Sequence, residues 1–173
     1  MACALTTGRK LPCKTGFGGI KKVYFADFGT VGALTVDSDN KVTAVAGSPT
    51  WFQFDVKGNS SLETTINSSR ENGTTFFAQT LNLTLTYLDN DTKEEVQLLA
   101  VSNPHIVVED YYGNIFLCGY ENGCELTGGT IVTGAAAGDL SGFTLTFEGQ
   151  EEKAPYFVDA GVVSGSATQI TPN

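Results

Sequence analysis

Residues 71 to 88 constrain this chain more than any other stretch. Glu71-Asn72-Gly73 leads into TTFFAQTLNLTLTYL, and from Leu81 the sequence alternates strictly. Leu81, Leu83, Leu85 and Tyr87 fall on one side of an extended chain, with Asn82, Thr84 and Thr86 on the other. That period of two marks a strand with one greasy and one hydroxylated face. Fifteen residues at about 3.3 Å each reach roughly 50 Å, well beyond the usual strand. A strand of that length needs partners throughout, so the sequence points to a β-architecture built for assembly.

The rest of the chain agrees with a mainly β fold, a β-sandwich or split barrel in a single domain. Candidate strands are KKVYFADF, VGALTVD, KVTAVAG, WFQFDVK and LETTINS, with Asp39-Asn40 and Asn72-Gly73 as tight hairpin turns. One helix is expected over 92 to 101, with Asp91 as its cap, Glu94 as the capping-box partner, and Val96, Leu99 and Ala100 along one face. After Pro104, IVVEDYYGNIFLCGY reads as two strands hinged at Gly113-Asn114. Neither Ile106–Val108 nor Ile115–Leu117 alternates, which suggests burial on both faces. Residues 119 to 142 carry seven glycines and read as one long loop before the alternating strand of Phe143, Leu145 and Phe147. Three regions result: a glycine-rich arm over 1–21, a β-domain over 22–160, and a small polar tail over 161–173 expected to fray.

Charge is unevenly placed. The first 22 residues hold Arg9, Lys10, Lys14, Lys21 and Lys22 and no acid, leaving five basic residues against nineteen acids in the remainder. An acidic body argues against gripping nucleic acid, which needs basic surface to release counterions. It would instead repel passing DNA. No run of 18 apolar residues offers a membrane span. The first residues also lack a charged leader followed by an apolar core, so production in a cytoplasm is the expectation.

Catalytic and metal constellations are weak. Cys3, Cys13, Cys118 and Cys124 fit no CxxC spacing. Cys3–Cys13 and Cys118–Cys124 could each close a short loop under oxidising conditions, but reduced, partly buried thiols are the simpler reading. His105 is the single histidine and reads as structural. The chain has no GxSxG, HExxH or SxxK motif, so neither an enzyme nor a cofactor is expected. The run Asp37-Ser38-Asp39-Asn40 with Asp55 lacks calcium-loop spacing and reads as a turn.

The order of features resembles the bacteriophage tail tube (major tail) protein family. The similarity lies in the ACALTTGRKLPCK…GGIKKVYF opening, the ETTINSSRENGTTFFAQTLNLTLTYL hairpin, KEEVQLLA, and TGGTIVTGAAAGDLSGFTLTFEGQEEKAP. It covers roughly 9 to 157. The resemblance implies a virion protein whose six copies close a ring around an inner β-barrel, the rings stacking into a tube through which DNA passes without specific binding. It implies that 62 to 88 form the inner-wall hairpin, with Asn82, Thr84 and Thr86 facing an acidic lumen. Arg9, Lys10, Lys14, Lys21 and Lys22 would dock on acids of the next ring, for which Glu148, Glu151 and Glu152 are the candidates. Two other readings stay open. One is a capsid decoration or head–tail connector protein; the other is a carbohydrate-binding β-sandwich stacking sugars on Trp51, Tyr111 and Tyr112.

Overall fold

The computed structural model describes residues 7–11, 13–56 and 58–163. Their order is β1 (Ile20–Ala26), β2 (Val31–Val36), β3 (Val42–Gly47), β4 (Phe52–Asp55), β5 (Ser61–Ser69) and β6 (Thr74–Thr86). There follow helix α1 (Asn90–Val101), β7 (His105–Asp110), β8 (Ile115–Cys118), β9 (Glu125–Val132), β10 (Gly142–Glu151), β11 (Tyr156–Phe157) and a 3-10 turn at Ala160–Val163. The protein is a mainly β sandwich with one α-helix among the described residues.

Two antiparallel sheets face each other. One has the order β11-β8-β7-β1-β4 and the other β5-β6-β10-β9. The long alternating run is β6, thirteen residues from Thr74 to Thr86. It pairs on one side with β5 and on the other, over ten positions, with β10. Between the sheets, Leu81, Leu83, Leu85, Phe143, Leu145 and Phe147 meet Val23, Phe25, Ile106 and Val108. Phe25 meets Phe147 in a tilted contact at 5.2 Å and Phe54 edge-on at 5.1 Å.

The non-alternating runs are buried on both faces. The far side of β1, β7 and β8 presents Tyr24, Val107, Ile115 and Leu117 to a second core, which the β2–β3 hairpin covers with Val31 and Val42. Trp51 lies in that core, away from solvent. Val163 is buried there too, so the 3-10 turn belongs to the body although the tail was expected to begin at 161. Residues 164–173 lie outside the described set.

Three local expectations are corrected. Asp89, not Asp91, caps α1: its Oδ2 accepts the Thr92 N–H at 2.8 Å, and Glu94 instead accepts from the Asn90 side chain. At the β7–β8 turn the central residues are Tyr111 and Tyr112, and Gly113, expected with Asn114 to form the hinge, comes last. Its N–H closes on the Asp110 carbonyl, and only there does φ turn positive. The expected loop over 119 to 142 contains β9. Its glycines hid it, yet Gly129 sits where a Cβ would come within 2.5 Å of the Thr144 carbonyl, so close strand approach demands glycine. A bulge opposite Thr146/Phe147 absorbs one residue of β9. What remains loop beyond β9 is tied by Asp139, whose carboxylate accepts the Ala135 and Ala136 N–H groups. Those bonds hold its pKa below the ordinary aspartate value.

Candidate functional site

The β5-β6-β10-β9 sheet has an open outer face, opposite its core face. Register places Asn82 beside Thr146, and Thr84 beside Thr144, which in turn pairs with Thr130. The hydroxyls bond laterally. Thr146 Oγ1 donates to Asn82 Oδ1 at 3.0 Å, Thr84 Oγ1 donates to the Asn59 carbonyl at 3.0 Å, and the Thr130 and Thr144 hydroxyls bond each other. Asn82 and Thr86 are exposed and Thr84 half-buried. Each of the three therefore lies on the hydroxylated face expected for it.

One row of this face is acidic. Glu63, Thr80, Glu148 and Glu125 are successive cross-strand partners, with Glu148 directly opposite Glu125. Like charges placed opposite each other destabilise a strand pair. Glu148→Gln is therefore expected to raise stability by about 0.2–1 kcal/mol, read as a higher urea midpoint. Period-two reading from Leu62 and from Phe143 would have placed Glu63 and Glu148 on this face. Glu125 was hidden because β9 read as loop.

Among the described residues both outer strands of this sheet are edges: β5 with nine residues and β9 with eight. The β5, β6, β10 and β9 pairings are all antiparallel, so strand direction alternates across the sheet. An added β5 from another copy would therefore meet β9 in the same antiparallel sense. Unpaired edges of matched length are a template for strand addition.

The five cations do not act as one group. Lys21 and Lys22 lie in β1, and Lys21 Nζ bonds Glu109 Oε1 of its own chain at 3.0 Å. Arg9, Lys10 and Lys14 are exposed and form no ion pair among the described residues. The arm crosses the β7–β8 turn, where Phe17 stacks on Tyr111 at 4.6 Å and Gly16 lies against the Tyr112 ring.

The three acids proposed to receive the arm also separate. Glu148 is on the open face and Glu152 is exposed beyond it, but Glu151 is buried. The Glu151 carboxylate accepts the Glu121 and Asn122 N–H groups at 2.9–3.1 Å, so it cannot serve as a surface docking acid. Period two turns Glu151 inward with Phe147 and Gly149.

Glu151 belongs to a buried corner that carries the chain from β8 to β9. His105 Nε2 accepts the Gly29 N–H at 3.0 Å, so the ring proton resides on Nδ1, which donates to the Gly119 carbonyl at 2.7 Å. Gln79 Oε1 accepts the Gly119 N–H. Gly123 turns with positive φ where a Cβ would stand 2.5 Å from the Asn103 carbonyl. The corner fixes how the two sheets face each other.

Cys118 and Cys124 are free and buried at this corner, whereas Cys13 is exposed; Cys3 lies outside the described residues. Burial pushes the Cys124 thiol up to about 12, with the Glu151 charge adding to the rise, and burial also raises Cys118. The folded state thus holds protons that an unfolded thiol loses near 9. This contribution to stability is complete below about pH 9 and disappears as pH rises toward 12. Iodoacetamide at pH 8 should label Cys13 in the native protein and reach Cys118 and Cys124 only after denaturation, as read by peptide mass spectrometry. The guanidinium midpoint should fall between pH 9 and 11, and Cys124→Ala should flatten that fall.

Among the described residues no group of histidine, cysteine and carboxylate side chains could hold a metal ion, and no helix is long and apolar enough to cross a membrane. Trp51 is buried, so it offers no sugar-stacking surface. No protein-family model, curated protein or solved structure matches this chain.

Proposed function

We propose that this chain is a structural virion subunit whose copies close into six-membered rings, stacked as a phage tail tube that conducts DNA. The observation that carries the reading is the β5-β6-β10-β9 sheet, with its two matched free edges and an uncovered hydroxylated face. Joining β5 of one copy to β9 of the next continues the antiparallel sheet, and a closed ring leaves no edge. A heterologous contact of this kind closes only if its rotation does, and otherwise yields a filament.

The open face then becomes the channel wall. Glu63, Glu125 and Glu148 recur in each copy, so the wall repels phosphates while the threonines keep it wetted. DNA slides past without a binding site. Arg9, Lys10 and Lys14 remain for contacts between rings, Lys21 being committed to Glu109. The subunit performs no catalytic step and needs no cofactor. Its place is the virion tail, assembled in the host cytoplasm with other virion proteins.

Negative-stain electron microscopy of the concentrated protein tests the reading. Hollow tubes or stacked six-fold rings are the expected result. Trimers or monomers at every concentration, with binding to preformed capsids, would transfer the assignment to capsid decoration.

A further inference from the structure

A cleft of about 600 Å³ opens between the β5–β6 hairpin and the other sheet. Leu62, Ile66 and Phe77 line its roof, while Val108, Phe116 and Phe157 are among the residues of its floor. Its walls are mostly apolar, yet no part of the described chain fills it, and Ile66 is left 66% exposed. A sandwich normally closes such a gap with its own side chains. Here the roof overhangs at the β5 edge.

The opposite edge of the same sheet carries what is missing. α1 packs beneath β9, burying Val96, while Leu98 and Val101 stand 61% and 84% exposed on the side away from Val96. Ile131, on the core face of β9, is 61% exposed. Beside it lies a hollow of about 280 Å³ lined by Val96, Gly129 and Leu145. Each edge therefore presents one projecting isoleucine on the core face and one unfilled space beneath it.

We infer that the cleft under β5 is the seat for α1 and Ile131 of a second copy of this chain; this rests on the ring reading. When β9 of one copy is added in phase to β5 of the next, the core faces of the two strands coincide. Ile66 shares its row with Phe77 and Glu151, whereas Ile131 shares its row with Phe143 and Leu85, eight residues away along β10. The two isoleucines therefore meet on that face when β9 is staggered by about eight residues along β5, the kind of shear by which strands close into a barrel. The helix under β9 is carried beneath β5, where the cleft stands open, and brings Leu98 and Val101 with it. Ile66 in turn covers the hollow beside β9. The interface is then a strand pair outside and an apolar helix seat inside. The seat supplies the burial that main-chain hydrogen bonds alone do not.

The experiment uses cysteine pairs in the full chain with Cys3 and Cys13 changed to serine. Ile66→Cys and Val101→Cys are placed in one chain, and each is also made alone. Within a chain Ile66 is on edge strand β5 and Val101 on the helix beside edge strand β9, with three strand spacings, at least about 14 Å, between those edges, so a disulfide between them must join two copies. Mild oxidation should give a covalent ladder from the double variant only. In parallel, Leu98→Asp/Val101→Asp should leave the monomer melting within a few degrees of the parent, both sites being exposed. It should raise the concentration needed for assembly at least about tenfold, the effect of about 1.4 kcal/mol per contact.

Rings or tubes that form unchanged with the aspartates, and give no ladder, would overturn the seat while leaving the ring standing. A cross-linked ladder without any six-fold ring would uphold the seat and overturn the ring. Linkage in Ile66→Cys alone would mean that two clefts meet face to face, which overturns the assignment of α1. Absence of both ladder and rings overturns both.

Discussion

Phe147→Ala should cost about 3–5 kcal/mol, enough to leave a sandwich of this size largely unfolded at 37 °C. Phe147 is fully buried, at 0% exposure, on β10. Its partners there are Leu81 on β6 and Leu126 on β9, and its ring meets Phe25 of the opposite sheet. One side chain therefore ties three strands of one layer to β1 of the other. Truncation leaves a cavity walled by β-strands that cannot close over it without breaking pairing. Phe147→Leu, which keeps most of the volume, should cost less than half as much. Denaturant unfolding of the two variants measures the contrast, and equal losses would mean that packing at this position is not what holds the layers.

His105→Phe is the second large effect, about 2–4 kcal/mol. Phenylalanine keeps a ring beside Phe28, with which His105 stacks at 5.2 Å, but offers nothing to the Gly29 N–H or the Gly119 carbonyl. The buried Gly119 carbonyl would lose its partner, a loss that costs more than the bond itself contributes, while the Gly29 N–H, in an exposed residue, would be released to water. The loss should appear as a lower thermal midpoint and as faster amide exchange at Gly29. Unchanged exchange there would show that the imidazole is packing rather than bonding.

These residues differ in how far the sequence revealed them. Leu81 to Thr86 could be read directly, because a period of two depends only on the chain's own geometry. The doubly buried Ile106-Val107-Val108 could be read because it lacked that period. Strand β9 could not, since ELTGGTIV carries two adjacent glycines, and the close approach to Thr144 that requires Gly129 is a tertiary fact. The same limit applied to Glu151. An acid after an alternating strand looks solvated until the N–H groups of Glu121 and Asn122, some thirty positions away, are folded against it. Lys21 was assigned to the arm because nothing local shows Glu109 across the β1–β7 pair. The hydroxylated face was thus legible, and its acidic row only in part.

The order of strands across the four-stranded sheet also bears on when each of its edges can form. β10 is among the last elements to be made, yet it lies inside the sheet between β6 and β9. A nascent chain that has released only β5 and β6 has a hairpin but not the β9 edge. β9 has no strand to lie against until the ribosome has passed residue 151. Synthesis at about 5–20 residues per second separates these events by several seconds. The β9 edge is therefore completed only when the subunit's own core is.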